Sequence, residues 1–199
     1  MGVLPCGAAL WFFPRQMPQQ QLILTICIVT PLLAVLCWYD CRERRLPNVL
    51  TLGLIVLCLI WRLISGGWYG FVDGLLGGLV CGAFLLIPFL MRGAGGGDLK
   101  MIFGTGVATG LHLSFAELLF VSLTGLVLGL GMLVFRKVDG RRLKHYLRCV
   151  FDWRYDSKAG AENLPEATDE RGRVPFGVAI AIGTVIALCY AIYVERQMP

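Results

Sequence analysis

Two aspartates stand at the ends of long apolar runs, where an ionisable group is costly to place. Asp40 follows the apolar run 22–39, and Asp98 follows the glycine-rich stretch 93–97. Two carboxylates held a few ångströms apart share a proton, because like charges resist ionising together. The ionised member can then take a proton from water, while the protonated member donates to a carbonyl oxygen. The pair therefore indicates aspartyl hydrolysis of an amide, which needs neither metal nor cofactor.

Each aspartate also has a purely structural interpretation. Asp98 could cap the helix that follows it, and Asp40 could pair with Arg44, one helical turn further on. Two features favour a catalytic role over a structural one. A helix dipole disfavours an anion at a helix C-terminus, where Asp40 is predicted to lie. The glycines before Asp98 cost backbone entropy, which is reasonable if another backbone must come close.

The composition excludes a disordered chain, a disulfide-stapled secreted module and an ordinary cytosolic enzyme. Of the 199 residues, 57% are hydrophobic and 16% are charged, and the mean hydropathy is +0.71. Soluble domains are about 45–50% apolar and about 25% charged.

His112 and His145 are predicted to lie on opposite sides of a membrane, and the eight cysteines form no C-x-x-C pair. Neither a metal site nor a disulfide framework is therefore predicted.

The apolar runs predict an all-α polytopic membrane protein that forms one domain over 1–199. A spanning helix needs about 20 apolar residues. An interfacial segment is predicted over 1–21, and a surface helix followed by an irregular loop over 136–173. The fourth and fifth spans are predicted to form a tight hairpin around Ser114. The six predicted spans are 22–39, 49–65, 70–91, 101–113, 115–135 and 174–194.

The basic residues predict the orientation. Fifteen of the 18 Lys and Arg fall in the segments 40–48, 92–100 and 136–173. The positive-inside rule places these segments in the cytoplasm and both termini in the periplasm. The net charge of +5 is explained by this topology, so no nucleic-acid partner is predicted. Asp73 and Glu117 are predicted near the outer ends of their spans and are not expected to be catalytic.

Three motifs resemble those of the type IV prepilin peptidases, membrane aspartyl proteases with a G-x-G-D motif. The first is an aspartate followed by basic residues and Leu-Pro-Asn, the second is G-x-G-D-Leu-Lys, and the third is Pro-Phe-Gly before the last span. The resemblance runs from about residue 22 to 194. The residues that carry it are Asp40, Leu46, Pro47, Asn48, Gly95, Gly97, Asp98, Leu99, Lys100, Pro175, Phe176 and Gly177.

The resemblance implies that Asp40 and Asp98 are catalytic and cut a prepilin between its basic leader and its apolar helix, at the cytoplasmic face of a bacterial inner membrane. The chain is most similar to the short form that serves Flp/Tad-type pili. Prepilins or pseudopilins would be its substrates, and a pilus or a type II/Tad secretion assembly its context. Longer members carry paired C-x-x-C motifs associated with N-methylation. This chain has none, so methyl transfer is not predicted.

The neighbouring motif residues have predicted supporting roles. Pro47 and Asn48 are expected to start the second helix, and Pro175 and Gly177 the last one. Lys100 would either favour ionisation of the nearby carboxylate or extend towards lipid phosphates.

Three other functions stay open at this point. A related G-x-G-D peptidase, presenilin-like or cutting preflagellins, would share the aspartates but not the substrate. A small proton-coupled transporter would use the same acids as a relay, although the two similar halves typical of transporters are not evident. A non-catalytic assembly factor would have no need of both aspartates.

Overall fold

The computed structural model describes residues 19–43, 46–90, 94–134 and 176–197. Helices account for nearly all of these residues: α1 (Gln19–Glu43), α2 (Asn48–Leu90), α3 (Gly96–Val134) and α4 (Phe176–Gln197). All four are long and apolar enough to cross a membrane. The predicted all-α membrane class is thereby confirmed, whereas the count of six spans stays a prediction. Of the interfacial segment predicted over 1–21, residues 19–21 belong to α1 and the rest lies outside the described residues. The segment predicted over 136–173 also lies outside them.

Helix α2 turns back on itself at Gly67, whose φ of 61° and ψ of −151° are not helical. Arg62 forms an ion pair with Asp73, eleven residues further along. A straight helix would separate these two positions by about 16 Å. Gly70 also lies against the backbone carbonyl of Arg62. The helix therefore consists of two segments, 48–66 and 68–90, and the buried charge of Arg62 is neutralised where they meet.

Helix α3 turns back at Gly110, with φ 78° and ψ 172°. The hydroxyl of Thr109 donates to the carboxylate of Glu117 at 2.7 Å, although a straight helix would place these residues about 12 Å apart. The predicted turn around Ser114 was therefore wrong by four residues. Ser114 lies inside the second segment, where its hydroxyl donates to the Gly110 carbonyl at 2.7 Å. The backbone angles at the turn are accessible essentially only to glycine, which fixes its position.

The contacts between helices define two ends of the bundle. At the end that we call the aspartate end, Asp40 lies against Gly177 and Leu46 against Gly97. The turns at Gly67 and Gly110 lie at the other end, the glycine-turn end. The described parts of the basic segments, 40–43, 46–48 and 94–100, are at the aspartate end. They share one end, as their predicted location in one compartment requires, and which side of the membrane that end faces stays a prediction.

Close packing between α2 and α3 depends on residues without bulky side chains. A methyl group at Gly77 would fall on the carbonyl of Gly106, and one at Gly74 would lie 2.9 Å from the carbonyl of Val107. Small residues at such interfaces let two helices approach closely inside a membrane, where van der Waals packing drives association. This contact aligns the second segment of α2 with the first segment of α3, which begins at the Asp98 motif.

Replacing Gly110 with alanine is expected to destabilise the protein by about 1–3 kcal/mol, because the positive φ with extended ψ is strained for any L side chain. The added methyl group would also collide with the Arg62–Asp73 ion pair. Thermal unfolding in detergent, followed by size-exclusion fluorescence, measures the change.

Gly129→Ala is the matched control, since a methyl group at this position in the same helix meets nothing within 4 Å. It should be neutral or stabilising by up to about 1 kcal/mol. Equal unfolding temperatures for the two variants would contradict the turn at Gly110.

Candidate active site

Asp40 lies in the last turn of α1 and is 7% exposed. Its carboxylate packs against the first turn of α4, where a methyl group at Gly177 would lie 2.7 Å from Asp40 Oδ2. A helix N-terminus carries a partial positive charge, which stabilises a nearby anion. The sequence indicated only the unfavourable dipole of α1. The Pro-Phe-Gly motif predicted the start of α4, whereas the contact of this helix N-terminus with Asp40 was missed.

Asp98 is the third residue of α3. The Gly95 N–H donates to Asp98 Oδ2 at 3.1 Å, and the Leu99 N–H donates to the Gly95 carbonyl at 3.2 Å. Gly95 is therefore the N-cap residue, and the Asp98 carboxylate reaches back to it as in a capping box. The capping interpretation of Asp98 is thus correct for one of its oxygens, and it fixes the orientation of the carboxylate.

The glycine before Asp98 allows a close approach, by a side chain and not by the backbone that the sequence predicted. A methyl group at Gly97 would lie 2.7 Å from the Cβ of Leu46. Leu46 belongs to the loop that follows Asp40, so the approaching group comes from the first aspartate motif. The two motifs are therefore packed directly on each other.

The start of α2 connects the same two motifs. The carbonyl of Pro47 accepts hydrogen bonds from the Leu50 and Thr51 N–H groups at 3.1 and 3.2 Å. The predicted helix start at Pro47 and Asn48 is thus confirmed. Lys100 Nζ donates to Asn48 Oδ1 at 2.8 Å, a partner that the sequence did not suggest. This bond links the first turn of α2 to the first turn of α3.

The structure brings the parts of the three motifs that it describes to one end of the bundle, while Pro175 lies outside the described residues. Asp73 pairs with Arg62 at the other end, and Glu117 is buried between helices with no exposed surface. Neither lies in the motif cluster. The described residues contain no group of three or more His, Cys, Asp or Glu suited to a metal ion.

An all-helical membrane protein with two acidic motifs packed together at one end has the features of a membrane peptidase. A sequence model of the type IV leader peptidase family matches residues 27–130, a range that includes Asp40 and Asp98. The chain belongs to this family, whose substrates in general are prepilins. No curated protein and no solved structure matches the chain.

Gly177→Ala should lower the rate of leader removal from a prepilin by about 10- to 100-fold, as expected when reacting groups are displaced by about 1 Å. The new methyl group would overlap the Asp40 carboxylate and push it from its place. Cleavage in membranes, quantified per molecule of inserted enzyme, is the measurement.

Gly53→Ala serves as the control. Gly53 lies in α2 near the aspartate end, and a methyl group there meets nothing within 4 Å. Its activity should equal that of the wild type. Full activity in Gly177→Ala would show that the packing of Asp40 on α4 does not matter for cleavage.

Proposed function

We propose that this protein is an aspartyl prepilin leader peptidase with Asp40 and Asp98 as its catalytic pair. The observation that carries the proposal is the mutual packing of the motifs: Asp40 against Gly177, and the loop after Asp40 against the turn before Asp98. Membership of the type IV leader peptidase family supports peptide hydrolysis.

The proposed reaction uses a water molecule held between the two carboxyl groups. The ionised carboxylate removes a proton from the water, which attacks the carbonyl carbon of the scissile amide. The protonated carboxyl group donates to the carbonyl oxygen as negative charge develops there. When the tetrahedral intermediate collapses, the carboxyl group that took the proton from water gives it to the amide nitrogen, which leaves as an amine. The other carboxylate takes back the proton from the former carbonyl oxygen, which restores the pair. We assign the two roles to the pair and not to one residue each.

The location of the pair fits a substrate that is part soluble and part membrane-embedded. The aspartate end is where helices α1, α2, α3 and α4 begin or end, so it lies at a boundary between the apolar bundle and water. A prepilin, with a polar leader before an apolar helix, presents its scissile bond at such a boundary. The neighbouring Arg42 is exposed and Lys100 is half-buried, which supports the cytoplasmic side under the positive-inside rule.

We assign the substrates to Flp/Tad-type prepilins and related pseudopilins, and the location to a bacterial inner membrane with both termini periplasmic. Only eight residues, 41–48, join Asp40 to the end of the Leu-Pro-Asn motif, and they hold no C-x-x-C motif. This supports peptidase activity without N-methylation.

Asp40→Asn and Asp98→Asn should each reduce cleavage by at least about 10³-fold, because each removes a group that must exchange protons in the reaction. The measurement is the gel shift of a tagged Flp-type prepilin co-expressed with each variant. Glu43→Gln is the control, since Glu43 is an exposed carboxylate in the same turn of α1 as Asp40.

The control should cleave as the wild type does. Cleavage by either aspartate variant would contradict the aspartyl mechanism. If inserted wild-type protein cleaved a classical type IV prepilin but no Flp-type prepilin, the Flp/Tad assignment would be wrong while the family function stood.

A further inference from the structure

Glu117 is a carboxylate that the proposed chemistry does not use, and it is completely buried. Its Oε2 accepts a hydrogen bond from the Thr109 hydroxyl at 2.7 Å, and its Oε1 accepts one from the Thr184 hydroxyl at 2.8 Å. The Cys81 thiol lies 3.8 Å from Oε2 as a weak third donor. A carboxylate inside a membrane protein is expensive and usually functional.

The three donors come from three different helical segments. Cys81 is in the second segment of α2, Thr109 is the last residue of the first segment of α3, and Thr184 is in α4. Glu117 itself is in the second segment of α3, so one side chain joins four segments. Two of these segments begin at the candidate active site, one with the Asp98 motif and the other with Gly177 against Asp40.

We propose that Glu117 is a positioning residue that fixes the helix carrying Asp98 relative to the helix supporting Asp40. The inference rests on the proposed function of this pair. Helices are stiff, and Thr184 lies seven residues, about 10 Å, from Gly177. A displacement at the carboxylate is therefore transmitted along α3 and α4 to the aspartate end.

The hydroxyl groups have other acceptors, which determines what loss of Glu117 would do. Thr184 also lies 2.8 Å from the carbonyl of Ile180 in its own helix, and Thr109 lies 3.2 Å from that of Thr105. Without the carboxylate, each hydroxyl can return to its own backbone. The individual helices would stay intact, and the bonds between them would be lost.

Two substitutions of Glu117 differ in whether the helices stay joined. In Glu117→Gln, the amide oxygen accepts from one threonine, and the amide N–H donates to the other, whose hydroxyl turns to its own helix. The helices stay joined, so kcat should stay within about threefold of the wild type. Glu117→Leu has a similar volume but no polar atom. It should lower kcat by about 10- to 100-fold with little change in KM, as expected for displaced reacting groups.

A second pair of variants tests one bond alone. Thr184→Val removes the bond between Glu117 and α4 and should lower kcat in the same direction as Glu117→Leu. Thr124→Val is the matched control, since the Thr124 hydroxyl donates to the Phe120 carbonyl within its own helix at 2.6 Å. It should leave kcat unchanged. If Glu117→Leu does not fold, the comparison of Thr184→Val with Thr124→Val still tests the positioning role of Glu117.

Alkylation of Cys37 reports the position of α4 without any substrate. Cys37 lies one turn before Asp40 in α1, and its thiol is 3.8 Å from the Gly177 carbonyl. Cys41, in the same helix, is exposed. If α4 shifts, Cys37 should react faster with a membrane-permeant maleimide in Glu117→Leu and Thr184→Val. The Cys41 rate, measured on the same peptide by mass spectrometry, should not change.

The two measurements separate the possible failures. A folded Glu117→Leu or Thr184→Val protein with unchanged kcat and unchanged Cys37 alkylation would overturn the positioning role. Equal loss of kcat in Glu117→Gln and Glu117→Leu, with Cys37 unaffected, would also overturn it, because charge and not position would then matter. A wild type that cleaves no prepilin would overturn the proposed function, and the alkylation rates would still test the effect of Glu117 on α4.

Discussion

Hydrocarbon offers no hydrogen-bond partner, so every polar group between the two ends of this bundle has to be satisfied by the protein itself. Several of the bonds that serve this requirement join different helical segments. Arg62 pairs with Asp73 across the turn in α2, the Trp61 indole donates to the Thr25 hydroxyl at 3.0 Å, and Glu117 accepts from two helices. The groups that the membrane makes costly are therefore the ones that fix the helices relative to one another.

The candidate active site is positioned by these helices, and small residues allow its motifs to pack closely. Its motifs approach each other through glycines, at 97 and 177, that leave space for the Leu46 side chain and the Asp40 carboxylate. The same carboxylate lies at the C-terminal end of one helix and against the N-terminal turn of another. The second dipole offsets the first, which lets an acid persist at a helix end that would otherwise disfavour it.

Much of this arrangement was predictable because it is local or set by the membrane. Apolar runs placed the helices, and the excess of Lys and Arg placed Asp40 and Asp98 at one end. The helix start at Asn48 followed from its Leu-Pro-Asn context. The turn at Gly110 was not predictable, since glycines recur throughout α3 and only the backbone angles distinguish this one. Nor was the partner of Glu117 on α4, which lies 67 residues away.

The two turns at Gly67 and Gly110 make the two ends of the described bundle unequal. Each reverses the chain between two helical segments without a longer loop, so the described residues contribute almost no loop at the glycine-turn end. Among the described residues, this end presents two turns closed by one glycine each, beside the first turn of α1 and the last turn of α4. Among the described residues, the connecting segments are gathered at the opposite end. That end is where a soluble partner could bind this protein and also influence the two aspartates.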